Sequence, residues 1–305
     1  MSVSRRAWLG GLLGLAGCGD CSGASPSVEA PPLPSSAEAP SARWTEVAFP
    51  ATDHFQAEHA VISRQGSGEV LVALHGRGEV DKGLKGGARG WRDDYALDRA
   101  IVRAAAPPLT TEDFLGFVAS TRLDALNHSL NENPFAGLAV ACPWAPALRD
   151  RSPAGTEPFA RFIIEDLVPR ARREAPAQAT ERNGIDGVSM GGRLALHIGL
   201  RHPEVFHTIG ALQPAIRDAD VPELVRLAQT AQERRGDAFA LRLATSTDDY
   251  FREAVLALSK ALNDAGVKHH FVETPGPHDY AYNRGPGAYE MLLWHERLLR
   301  GLPAP

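Results

Sequence analysis

The sequence predicts an α/β domain built on a mostly parallel central sheet with helices on both faces. Three observations carry this. From Trp44 onward, short β-rich apolar runs alternate with longer segments of helical periodicity. No self-similar repeat recurs along the chain, which sets repeat architectures aside. With 305 residues, 44% of them hydrophobic and 23% charged, the chain can form one large globular domain plus a tail.

In order, Trp44–Phe49 and Ala60–Ser63 are expected as early strands that could pair antiparallel, and Glu69–Leu74 is the apolar run a central strand needs. The stretch from Gly76 to Pro134 begins with Gly83, Gly86, Gly87 and Gly90 and continues as helical segments; no role can be assigned to Lys82–Trp91. Leu138–Cys142 is the next strand, closed by Pro143. Phe159, Phe162, Ile163, Leu167 and Val168 fall close to helical spacing, so residues 158–173 form a crossover helix. Ile185–Val188 is a short strand, and Gly192–His202 a helix ended before Pro203. Ile209–Leu212 and Leu241–Thr245 are strands, Phe251–Ala265 is a helix stopped by Gly266, His270–Thr274 is the last strand, and Ala288–Leu299 is the final helix.

A formal net charge of −5 leaves no reservoir of positive charge for phosphates. Arg170, Arg172 and Arg173 read as a solvated helix end, so no nucleic-acid partner is expected. Residues 1–18 are a charged region followed by a short apolar one, Gly10 to Gly17, ending at Cys18; this is a targeting signal too short to span a bilayer. Ser4-Arg5-Arg6-Ala7-Trp8-Leu9 resembles a twin-arginine export signal, and Leu15-Ala16-Gly17-Cys18 resembles a bacterial lipoprotein cleavage box. The expectation is an exported protein, lipidated at Cys18 and anchored at the bacterial cell envelope, with no other membrane contact. Residues 19–43 carry Pro, Ser, Ala and Gly with almost no large apolar side chain, so they read as a disordered tether to a folded domain at 44–305. Cys142 lies in an apolar run and is expected as a buried thiol; nothing in the sequence supports its pairing with Cys21.

The residues that carry chemistry begin at Gly187-Val188-Ser189-Met190-Gly191-Gly192, a G-x-S-x-G match placed after an apolar strand and before a helix. A serine on so sharp a turn has close neighbours, which explains the glycines, and its hydroxyl is pushed into the open. An alcohol nucleophile needs a base, and the base needs an orienting acid. His278, in Pro275-Gly276-Pro277-His278-Asp279-Tyr280, follows the last strand at the sheet edge where active-site loops gather. His269 and His270 fall at the opposite edge, and His197, His202, His207 and His295 are expected on helices or helix ends as surface or packing residues. Asp248 and Asp249 both follow Leu241–Thr245 at the right edge; either could orient His278, and Asp248 could equally cap the next helix. Asp218 and Asp220 follow a different strand, and Asp279 is too near His278 in sequence. Two backbone N–H groups should face the oxyanion, one from Met190 and one from Arg77 in the turn Leu74-His75-Gly76-Arg77-Gly78. His75 has no ligand-spaced neighbour and is not expected to hold a metal.

Taken with Asp248-Asp249-Tyr250-Phe251, these motifs resemble the esterase D and feruloyl-esterase-like branch of the α/β hydrolases, over roughly Val47 to Leu299. The resemblance implies the α/β-hydrolase fold and favours Asp249 over Asp248, since the acid is usually the second of the two. It implies a serine hydrolase that cleaves small-molecule carboxylic esters or thioesters through Ser189, Asp249 and His278, with no cofactor. An acyltransferase or peptidase on the same fold, or a non-catalytic surface-binding lipoprotein, are the alternatives. The Gly-rich beginning of Gly76–Pro134 matches no part of that family.

Overall fold

A computed structural model describes residues 43–305 apart from residues 54, 65, 67 and 176–180. The signal segment, Cys18, Cys21 and the tether therefore lie outside the described residues. Among those described, no helix is long and apolar enough to cross a membrane.

The strands are β1 (Trp44–Phe49), β2 (Glu58–Ser63), β3 (Val70–Leu74), β4 (Ala139–Pro143), β5 (Asn183–Gly187), β6 (Phe206–Leu212), β7 (Ala240–Asp248) and β8 (His270–Pro277). They form one sheet in the order β1-β2-β4-β3-β5-β6-β7-β8. β1 and β2 pair antiparallel, as do β2 and β4, and every later pairing is parallel. The central strands are apolar on both sides because both faces are covered. Val70, Val72 and Leu74 of β3 enter one core, whereas Leu71 and Ala73 enter the other.

Helices follow as α1 (Gly83–Ala88), α2 (Leu97–Ala104), α3 (Ser120–Glu132), α4 (Pro153–Arg161), α5 (Val168–Glu174), α6 (Met190–Arg201), α7 (Val221–Arg235), α8 (Arg252–Asp264), the single turn α9 (Tyr280–Tyr282) and α10 (Ala288–Leu299). Side chains of α4 to α8 fill the first core, and those of α2, α3 and α10 the second. The two layers hold the sheet edges still, and that rigidity is what a loop-built site needs.

The expected crossover helix is longer than residues 158–173. Ser152 caps its start by accepting the Gly155 amide at 3.2 Å, and α4 runs through a π-helical stretch, Phe162–Leu167, into α5. β4 ends at Pro143, which is itself paired with Ala60 as its last residue, and begins at Ala139 and not Leu138, while β7 and β8 run on to an Asp248–Pro277 pairing. α7 was not expected. His207 lies on β6, not on a helix, and His295 on α10 has no exposed surface. Cys142 is buried, as expected, and has no disulfide partner among the described residues.

Candidate active site

Ser189 connects β5 to α6 with φ 56° and ψ −115°. A non-glycine residue holds such a backbone only where its surroundings enforce it. Here its amide donates to Leu212 O at 2.9 Å, its carbonyl accepts from Ala215 N at 2.9 Å, and Val188 N donates to Leu74 O at 3.1 Å. A Cβ on Gly191 would lie 2.3 Å from the Leu74 carbonyl oxygen, and one on Gly187 would lie 2.5 Å from the Gly191 carbonyl carbon. Glycine at both positions is thus a packing requirement of the turn.

His278 comes from the loop after β8, and its Nδ1 lies 2.6 Å from Asp249 Oδ1. Asp249 is itself fixed: Oδ2 accepts the Thr245 hydroxyl at 2.7 Å, and Oδ1 accepts the Phe251 amide at 3.0 Å. Tyr250 and Phe251 flank the imidazole at 5.3 and 5.5 Å between ring centroids. Asp248 is exposed and ends β7, so it neither reaches His278 nor caps α8, which starts after Phe251. Gln213, which sequence reasoning passed over, has φ 43° and no exposed surface. Its amide nitrogen donates to Ser246 Oγ at 2.6 Å and to Pro277 O at 3.0 Å, and so ties the β7 edge to the residue before His278.

The loop after β3 is held by His75. Its Nδ1 faces Gly76 O at 2.8 Å and its Nε2 accepts the Ala145 amide at 2.8 Å, which leaves neither nitrogen for a metal. Burial pushes its pKa down to about 4, so the ring is neutral. Gly76 N donates to the Tyr95 phenol oxygen at 3.2 Å, and that phenol donates to Glu79, a carboxylate with no exposed surface. The Gly-rich segment is shaped around this carboxylate, since a Cβ on Gly90 would lie 2.5 Å from Glu79 Cγ.

Arg77, Ser189 and His278 line one cavity of about 190 Å³, together with Gly76, Glu79 and Tyr280. Met190 is the first residue of α6, directly after the serine. The structure therefore gathers the expected serine, histidine and oxyanion-loop residue at one place, with Asp249 behind the histidine.

Beneath the turn lies a buried polar group that the sequence did not suggest. Asp186 accepts from Arg242 Nη2 at 2.8 Å and from His295 Nε2 at 2.9 Å, and Thr208 donates to His295 Nδ1 at 2.7 Å. Asp186, Arg242 and His295 are fully buried. Burial opposes ionisation of Asp186, yet Arg242 and His295 hold its carboxyl below the usual range. Its Oδ1 accepts the Gly187 amide at 2.6 Å, directly ahead of Val188 and Ser189.

Residues 143–286 match the model of a family described as "Putative esterase". No curated protein matches by sequence. Among solved structures, a ferulic acid esterase is similar with a TM-score of 0.60 and 17% identity, over 84% of this chain and 99% of that one. The S-formylglutathione hydrolase FrmB of Staphylococcus aureus has a TM-score of 0.58 and 14% identity, over 83% and 98% of the two chains. FphF, a fluorophosphonate-binding serine hydrolase of the same organism, has 0.57 and 14%, over 84% and 98%. The chain thus has the α/β-hydrolase fold, and its residues 143–286, which carry Ser189, Asp249 and His278, match the esterase family model.

Proposed function

We propose that this protein is a serine esterase that cleaves carboxylic esters or thioesters through an acyl-enzyme. The observation that carries the reading is the meeting of Ser189, on its enforced turn, with a histidine whose Nδ1 is held by a buried aspartate, on one cavity. An Nδ1–H donated to Asp249 leaves Nε2 free to take the serine proton. Ser189 Oγ attacks the ester carbonyl, the backbone amides of Met190 and Arg77 receive the negative charge on oxygen, and the alcohol or thiol leaves with the proton from His278. Water, deprotonated by the same imidazole, then releases the acid. Asp249 stabilises the imidazolium formed in each half, and the steps use protein groups and water only.

We propose further that the chain is exported and lipid-anchored through Cys18, a reading supported by the Arg5-Arg6 and Leu15–Cys18 motifs. Cys18→Ala should move the protein from the membrane fraction to the soluble one, and retention in the membrane would refute the anchor.

The catalytic reading is tested by treating the purified full chain with a fluorophosphonate probe and a p-nitrophenyl acetate assay. Labelling and turnover should both vanish in Ser189→Ala and in His278→Ala. A folded wild type that neither labels nor hydrolyses esters would overturn the proposal.

A further inference from the structure

At the sheet edge opposite Ser189 lies a larger cavity, about 480 Å³, of the size that encloses a small organic ligand. It opens where β6, β7 and β8 begin, beneath the end of α7. Its floor is apolar and aromatic: Trp294, Leu241 and Phe239 line it, with exposures of 1, 2 and 9%. Its walls are basic. Arg182, Arg235 and Lys268 line it against a single carboxylate, Asp237, which stands wholly in solvent and pairs with Lys268 at 3.1 Å. Arg235 forms no ion pair or hydrogen bond among the described residues, and its buried Nε lacks a partner.

Three histidines complete the walls, of which His269 is already bonded to the Ser259 hydroxyl and the Val267 carbonyl. His207 and His270 each present a ring to the cavity, and the buried Nδ1 of each has no hydrogen-bond partner. Burial, aided by nearby arginines, pushes His270 down to about 4 and lowers His207 as well. Both rings are therefore neutral near pH 7 and offer flat, hydrogen-bonding walls without further charge. Trp294 Nε1 is also buried without a partner. Buried nitrogens without a partner thus occur on four residues around this one cavity, Arg235, His207, His270 and Trp294.

We infer that this cavity is a second binding site, distinct from the esterase centre, for a small organic carboxylate with an aromatic body. The planar carboxylate meets the planar guanidinium of Arg235, the one cation there without a partner, and the fork geometry favours two parallel hydrogen bonds. The ring lies against Trp294 and Phe239, and the two imidazoles offer edge contacts. The excess of positive walls matches a monoanion, and the apolar floor disfavours a fully hydrated inorganic ion.

The test is calorimetric titration of the purified full chain with 1-naphthoate, 1-naphthamide and inorganic phosphate. Naphthoate should bind, and the uncharged amide and phosphate should each bind at least about tenfold more weakly, as loss of a charge-assisted pair or of the apolar contact requires. Arg235→Gln should weaken naphthoate by at least about tenfold. Ala238→Asp places a like charge at an exposed lining position and should weaken it as well, which covers the case that Arg235→Gln fails to fold. Absence of naphthoate binding, equal affinity for the amide, equal affinity for phosphate, or affinity unchanged in folded variants would each overturn the proposal. Retained binding in Ser189→Ala separates this site from the esterase centre.

Discussion

Asp186 and Arg242 carry opposite charges at 2.8 Å with no exposed surface on either side chain. The ion pair's worth is not the quantity to predict, because burying both charges costs nearly what their attraction returns. The sharp expectation concerns removing one partner. Arg242→Met leaves a buried carboxylate with only His295 and the Gly187 amide, and Asp186→Asn leaves a buried guanidinium whose Nε and Nη1 already lack partners. Each should cost about 3–5 kcal/mol. At a urea dependence of about 3 kcal/mol per molar, that lowers the unfolding midpoint by more than about 1 M. The double variant removes both charges, so it should cost less than the sum by at least about 2 kcal/mol. Urea unfolding followed by tryptophan fluorescence measures all four corners of the cycle. Because Asp186 Oδ1 holds the Gly187 amide at 2.6 Å, fluorophosphonate labelling of Ser189 should also slow in Asp186→Asn at urea-free conditions where the variant is folded. Single substitutions costing under about 1 kcal/mol, or strict additivity, would refute the idea that this pair is an interdependent support of the turn.

Other expectations follow from the same geometry. Asp249→Asn should lower ester turnover by orders of magnitude with little change in KM, whereas Asp248→Asn, exposed at the end of β7, should leave kcat within about twofold. Burial pushes Glu58 up to about 8, so its folded form holds a proton that the unfolded chain releases near the ordinary carboxyl range. Stability should therefore fall as pH rises from about 5 to 8, by at most about 1.4 kcal/mol per unit, and Glu58→Gln should flatten that slope in urea titrations. His75 has the opposite sign: burial holds it at about 4, so stability is lost as pH falls from the ordinary histidine range toward 4, and His75→Gln should remove that loss. Gly90→Ala drives a methyl onto Glu79 and should cost about 1–3 kcal/mol by thermal unfolding, while Gly86→Ala meets only the side chain of Lys82 and should cost less.

The site was legible where chemistry dictates sequence locally. A serine on a sharp turn needs Gly187 and Gly191 beside it, and a histidine after the last strand needs no long-range information to be placed at the right edge. The positions of the central strands along the chain followed from the same kind of local signal, since β3 is buried on both faces and reads as unbroken hydrophobics. α7 was missed although a local rule covers it: its buried residues Leu224, Leu227, Ala228 and Ala231 fall at i, i+3, i+4 and i+7, a helical stripe that the surrounding polar residues obscured. β7 and β8 were cut short because Ser246, Thr247 and Pro275 read as loop residues, while their extension depends on pairing with each other.

The buried charges failed for a deeper reason. Asp186, Arg242 and His295 are distant in sequence, and each alone belongs by type on the surface. Only their mutual satisfaction makes burial tolerable, and that is a property of the assembled sheet. A signal was nevertheless present in the glycines. A Cβ on Gly210 would lie 2.0 Å from Asp186 Oδ2, and one on Gly184 would lie 2.6 Å from His295 Nδ1. Two adjacent central strands that give up side-chain volume on the face toward His295, with no turn to require it, leave space that something large must fill. In a strand that leads to a nucleophile, the aspartate at Asp186 beside those glycines is the residue with a reason to be inside. Reading glycine in a central strand as room for a polar neighbour would have found the support beneath Ser189 before the fold was known.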